Sequence, residues 1–346
     1  MSNTIDLGLS LDQRGRASVD FIGMLGQANN RLRENFSNTI SQALGDDEAL
    51  PEGLEERANL IEPIMADHAY FQTQQLLGEY HARYHGPIAT EAFERVQSRI
   101  TLEVPGAAQL YPDPDFTAPP YWQGVDFHRT AGGWDGHVNA GYIHAEIVHR
   151  KMVEKIFPGG IFALRRMAAE KAPKDQYESI LDMGCSTGHY TQALADAYPT
   201  AKIIGIDPSI RALEHCQRVA NARGDSWSLH QGLAEKTPFS DNSFDLVTSY
   251  ILLHEVPRAV AEAIFAEAFR VLRPGADLLM ADVTRFADMS RLLAWRQDLI
   301  ARMGGEPFWR ESAQLDLVAI AEAAGFEGVT GSGKFPYIVQ GTKPND

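Results

Sequence analysis

A chain of 346 residues carrying a formal charge of −15 is long enough for two ordinary domains, and it is too acidic for a nucleic-acid partner because no basic run offsets that field. Its two cysteines, Cys185 and Cys216, rule out a disulfide framework and a cysteine zinc site, and no run of roughly 18 apolar residues could cross a bilayer. The expectation is a soluble, cytoplasmic protein without a leader peptide, acting on small molecules and not on nucleic acid or a membrane.

Residues 1–104 read as a helical domain, with blocks at 18–44, 54–84 and 90–100. In the second block Leu60, Ile61, Ile64, Met65, Ala69, Tyr70 and Phe71 recur at spacings of three and four, which marks one buried face. Two copies of the chain can pair through these helices as a homodimer. His68, His81 and His85 are spaced too widely and lack a cysteine, so they read as packing or surface residues and no metal is expected.

Residues 105–178 form the next unit, an aromatic lid loop followed by connecting helices. From 105 to 136 proline, glycine and aromatic residues dominate, as in Phe127-His-Arg-Thr-Ala-Gly-Gly-Trp134, and the backbone reads as irregular. Such a loop is a lid or pocket wall, with Arg129 and Trp134 as substrate candidates. Helices over 140–157 and 161–172 then deliver the chain to its third unit, 179–346.

That unit opens with Ile180-Leu-Asp-Met-Gly-Cys-Ser-Thr-Gly-His-Tyr190, a buried strand, a tight small-residue turn and a helix. Gly184, Ser186 and Gly188 let a ligand approach the backbone, and the helix over 190–197 aims its amide dipoles at it. A second strand, 202–206, ends in Asp207, where a carboxylate can accept from both hydroxyls of a ribose. Strands follow at 228–231, 244–249, 277–282, 326–331 and 336–342, with helices at 210–223, 258–272 and 312–324. The alternation predicts an α/β, doubly wound, Rossmann-like seven-stranded sheet behind an α-helical N-terminal domain.

The Asp182 turn and Asp207 together resemble motif I and the acidic residue after it in class I S-adenosylmethionine (SAM) dependent methyltransferases. The resemblance covers residues 178–283, extends loosely to the last strands, and does not reach the first 140. It implies SAM as cofactor, Asp182 near its methionine end and Asp207 on its ribose, with Gly184, Cys185, Ser186 and Gly188 around it. Gly232-Leu-Ala-Glu235 resembles the adenine segment, where many relatives carry Asp in place of Leu233; there the Ala234 amide serves adenine and Leu233 packs on the ring. Thr248-Ser-Tyr-Ile-Leu-Leu-His254 resembles the segment beside the transferring methyl, which brings in Ser249 and His254. The two final strands are implied to pair antiparallel at one edge, and Tyr142 and His144, before motif I, become pocket candidates.

A nicotinamide dinucleotide uses the same fold and ribose acid, but an Asp before the first glycine repels a pyrophosphate and suits a cationic sulfonium. An NAD-dependent dehydrogenase is therefore the weaker alternative, and a SAM-binding regulatory or scaffold subunit without turnover is another. His254 is the candidate general base, set against a structural histidine that bonds nearby backbone. The arginine-rich stretch 284–311 supplies Arg285 and Arg296, with Trp309, for an organic-acid acceptor. The reading is methyl transfer to an oxygen, carboxylate or hydroxyl, of a small molecule.

Overall fold

In the computed structural model, which describes residues 5, 7–34, 36–157 and 159–345, the N-terminal region folds as α1 (Gln13–Glu34), α2 (Phe36–Leu44), α3 (Leu54–Met65) and α4 (Ala69–Glu94). The block expected over 54–84 breaks at 66–68, where His68 adopts extended backbone, and α4 then runs unbroken through Pro87 into the block expected at 90–100. A short strand β1 (Gln109–Tyr111) follows. Beyond it α5 (Ala140–Ile143) widens into a π-helical stretch, His144–Met152, ahead of α6 (Ile161–Ala169).

The alternating part comprises β2 (Ser179–Met183), α7 (His189–Ala197), β3 (Lys202–Asp207), α8 (Ile210–Arg223), β4 (Ser228–Gln231), β5 (Phe244–Tyr250), α9 (Arg258–Val271) and β6 (Leu272–Asp282). The tail adds α10 (Arg291–Gly304), α11 (Trp309–Ser312), α12 (Leu317–Ala323), β7 (Glu327–Ser332) and β8 (Tyr337–Thr342). The single tail helix expected at 312–324 is two pieces, the second capped by the Asp316 side chain. Arg273-Pro-Gly275 lies inside β6 as an irregularity, with Gly275 in the left-handed region at φ 73°.

The sheet has eight strands in the order β1-β4-β3-β2-β5-β6-β8-β7, with β8 antiparallel to β6 and β7 antiparallel to β8. The strand beyond the expected seven comes from the segment read as irregular, where Gln109, Leu110 and Tyr111 pair in parallel with Ser228, Leu229 and His230. Three residues are too few to show an alternation pattern in the sequence. Central strands are apolar along their length because helices cover both faces, and Ile180, Leu181, Met183, Leu246 and Val247 have no exposed surface. The chain turns one way from β2 to β3 and the other way to β5, so a crevice opens between the carboxyl ends of those strands.

Two further cores lie outside the sheet. One joins Val19 and Ile22 of α1, Ala89 and Phe93 of α4, and Tyr142, Ile147 and Met152. The other joins Ile40, Ile61, Met65 and Phe71 to Trp295 of α10. The apolar faces of the N-terminal helices are thus closed by residues far along the chain.

Candidate active site

The turn after β2 is built by its glycines. Gly184 sits at φ +70°, where a Cβ would lie 2.9 Å from the Leu252 side chain, and Gly188 opens α7 at φ +82°. The amides of Gly184 and Cys185 donate to the Ile206 carbonyl, that of Gly188 donates to Cys185 O, and that of Ser186 donates to Asp207 Oδ2 at 2.9 Å. Asp207 Oδ1 accepts from Ser209 N at 2.8 Å. Four of the turn's amides are engaged within the protein, so the turn is no anion nest of the kind a pyrophosphate needs.

Burial pushes the Asp207 carboxyl up to about 7 against the pull of the Ser209 and Ser186 amides. Asp182 lies beneath the turn, almost fully buried, where Thr191 Oγ1 of α7 donates to its Oδ2 at 2.7 Å. Burial raises Asp182 to about 7 as well, against that hydrogen bond, and its Oδ1 has no partner.

A cavity of about 420 Å³ opens at the carboxyl ends of β2, β3 and β5. Of the residues singled out in the sequence it is lined by Gly184, Cys185, Ser186, Asp207, Leu233, Ala234, His254, Trp134, His144 and Trp309. Asp182, Gly188 and Ser249 lie behind this lining. Ser249 is sealed in the sheet with its Oγ donating to Met280 Sδ, because strand alternation presents its neighbour Tyr250 to the cavity instead.

Tyr142 does not reach the cavity either, and packs against Phe93 and His215. The π-helical turn explains why His144 does. Its wider winding puts residues five apart on one face, so the rings of His144 and His149 lie 4.1 Å apart and both face the cavity. Burial holds His144 down to about 3 and keeps His149 uncharged too.

The arginines expected to grip an acceptor carboxylate lie elsewhere. Arg129 pairs with Glu79 at 2.8 Å, Arg285 pairs with Asp288 and Asp316, and neither they nor Arg296 line the cavity. Two further arginines of 284–311 fasten α10 and α11 to α3. Arg310 grips the fully buried Asp298 and reaches Glu55, and Arg302 bonds Asp298 and Glu62.

One wall of the cavity carries alternating acids and imidazoles, with Asp282 buried behind it. His254 Nδ1 lies 2.8 Å from Asp282 Oδ1, its Nε2 faces Glu255 at 3.4 Å, His128 Nε2 lies 3.0 Å from Glu255, and His128 Nδ1 lies 2.6 Å from Glu306. Burial works against charge on both histidines, but Asp282 and Glu255 outweigh it at His254, as Glu306 and Glu255 do at His128, so both imidazoles rise well above their ordinary range. Burial likewise opposes charge on Glu255, and His128 and His254 overcome it to hold that carboxyl well below its ordinary value. His128 and Arg129 are consecutive residues in the left-handed region, at φ 52° and 54°, a strained geometry that aims His128 at its two acids.

His128, Glu255, Glu306 and Arg165 are cavity residues the sequence reading missed. Glu255 and His128 carried a signal, through their places beside His254 and Arg129. His81 and His85, read as packing or surface residues, also line the cavity.

Comparison with known proteins decides the family. The family described as "Methyltransferase domain" matches residues 180–275. An uncharacterized methyltransferase of Synechocystis is 31% identical over 171 residues, spanning 49% of this chain and 76% of that protein. The chain belongs to the class I SAM-dependent methyltransferases.

This methyltransferase is also similar to the ubiquinone/menaquinone biosynthesis C-methyltransferase UbiE of Desulfotalea psychrophila, at 33% identity over 120 residues, 35% of this chain and 47% of that one. It is 29% identical over 175 residues to the malonyl-[acyl-carrier protein] O-methyltransferase of Methylococcus capsulatus, covering 51% and 56% of the two chains. The chain spans about half the length of these last two relatives.

SAM is the cofactor, and the residues of the methyltransferase fit it. The Asp207 carboxylate faces the cavity with lone pairs left for ribose hydroxyls, the Gly184 turn leaves room that a side chain would fill, and Asp207, Glu235, Glu255 and Glu306 suit a sulfonium cation. No helix of the described residues is long and apolar enough to cross a membrane.

Proposed function

We propose that this methyltransferase moves the methyl group of SAM to an oxygen of a small molecule, and that this oxygen is a hydroxyl. The observation that supports the reading is the row His254, Glu255, His128 and Glu306 along the cavity wall, with Asp282 behind His254. Bound SAM supplies a methyl already activated on sulfur, so the protein has to align the acceptor, exclude water and receive a proton.

Glu255 is placed for the last task. Its Oε2 is buried without a partner, while Oε1 is fixed by His254 and His128. An acceptor hydroxyl seated in the cavity donates to that free oxygen. As the new C–O bond forms and the C–S bond breaks, the hydroxyl proton passes to Glu255. A protonated ether is a far stronger acid than a carboxylic acid, so a carboxylate of low basicity suffices. His254, with both ring nitrogens turned to acids, acts as a positioning residue and not as a free base. A carboxylate acceptor loses the support of Arg285 and Arg296, which stand outside the cavity.

The test is incubation with labelled SAM and a panel of phenols, alcohols, small acids and amines. Labelled ether is the expected product, and Glu255→Gln lowers turnover by about 10²–10⁴ with SAM affinity kept. Labelled ester or methylamine overturns the hydroxyl assignment, and tight SAM binding with no labelled product favours the scaffold reading.

A further inference from the structure

Among the described residues, Arg165 is the one arginine or lysine that lines the cavity. It leaves α6 with Nη1 donating to the Ile161 carbonyl at 3.1 Å, one turn back, and its guanidinium lies 4.9 Å from the centre of the Tyr250 ring. No carboxylate of the described residues forms an ion pair with it. In a chain this acidic that is unusual, for Arg129, Arg285, Arg302 and Arg310 all bind acids. With Nη1 tied to Ile161, the edge formed by Nε and Nη2 keeps the fork that matches a carboxylate.

We propose that Arg165 is a carboxylate-binding residue of the cavity, completed by a ligand and not by the protein. The inference rests on the cavity being the SAM site. Asp207 stands at the end of β3 and Tyr250 at the end of β5, with β2 between them. Two strand spacings put about 10 Å between those ends. A ligand with its ribose on Asp207 that crosses the Gly184 turn brings its other end to Tyr250 and Arg165. SAM carries an α-carboxylate at that end. A carboxylate on the acceptor presents the same chemistry, and the experiment separates the two sources.

Calorimetric titration of the full chain uses S-adenosylhomocysteine, which keeps the amino-acid end, and 5′-methylthioadenosine, which lacks it. Arg165→Met is expected to weaken S-adenosylhomocysteine by about 10- to 100-fold, the range of a lost charge-assisted pair. Methylthioadenosine should bind wild type and variant alike, which also reports that the variant is folded. Arg165→Lys, which keeps the charge and loses the fork, falls between, and it carries the comparison if the methionine variant does not fold. If S-adenosylhomocysteine affinity is unchanged, the saturated complex is titrated with 3-phenylpropionate, and binding to wild type alone assigns the clamp to the acceptor. Unchanged affinity for both overturns the proposal. A wild-type protein that binds neither nucleoside overturns the SAM reading of this cavity, and the clamp with it.

Discussion

The Ser186 amide donates to Asp207 Oδ2 at 2.9 Å, and this bond ties the turn after β2 to the end of β3. Asp207 therefore holds the turn in shape as well as facing the cavity. Replacing it by Ala should weaken S-adenosylhomocysteine by about 1–3 kcal/mol, since two amides and the ribose hydroxyls lose their acceptor together. Calorimetry checks this, and unchanged affinity would show that the ribose sits elsewhere.

Asp207 also sets a pH dependence. Its folded value near 7 is above the ordinary carboxylate value, so between about pH 4 and 7 the folded protein holds a proton that the unfolded chain has released. Stability of the ligand-free protein should fall as pH rises through that window, with Asp182 acting in the same sense. Melting temperature against pH should be flatter in Asp207→Asn than in wild type. A parallel pair of curves would assign the slope to other groups.

Gly184 makes a local prediction. In Gly184→Ala the methyl meets Leu252 at 2.9 Å on a backbone at φ +70°, so a loss of about 1–3 kcal/mol is expected. Denaturant unfolding should show Leu252→Ala recovering part of it in the double variant, the fraction due to the clash. No recovery would leave backbone strain as the whole cause.

The fully buried Asp298 answers to Arg302 and Arg310. Asp298→Ala takes the shared carboxylate from two guanidiniums that keep Glu62 and Glu55, and should destabilise the protein by about 1–3 kcal/mol, read as a lower unfolding midpoint. Methylthioadenosine binding at low temperature should survive, because neither arginine lines the cavity.

The turn side of the cavity was legible because its residues are local. Asp182, the glycines and Asp207 lie within one strand-turn-helix-strand passage, and tight turns restrict residue type strongly. The wall of acids and imidazoles was not. Glu255, His128 and Glu306 meet only in space, and a lone histidine in a loop has no periodicity to expose it. The arginines over 284–311 misled for a related reason: composition reveals an excess of charge but not its partners, among them Asp288, Asp298 and Asp316 nearby and Glu55 and Glu62 of α3. Tyr142 and His144 entered together through the family resemblance, and the π-helical winding brings His144 and His149 to the cavity while Tyr142 packs away from it.

Trp295, with no exposed surface, fills the core formed by Ile40, Ile61, Met65 and Phe71. During synthesis those N-terminal residues leave the ribosome long before their cover does, and the whole parallel sheet is made in the interval. The chain must carry an open apolar groove through most of its own translation and shut it near the end, so closure of this core is a late, high-contact-order step. Nascent chains halted before α10 should be the aggregation-prone and chaperone-bound ones.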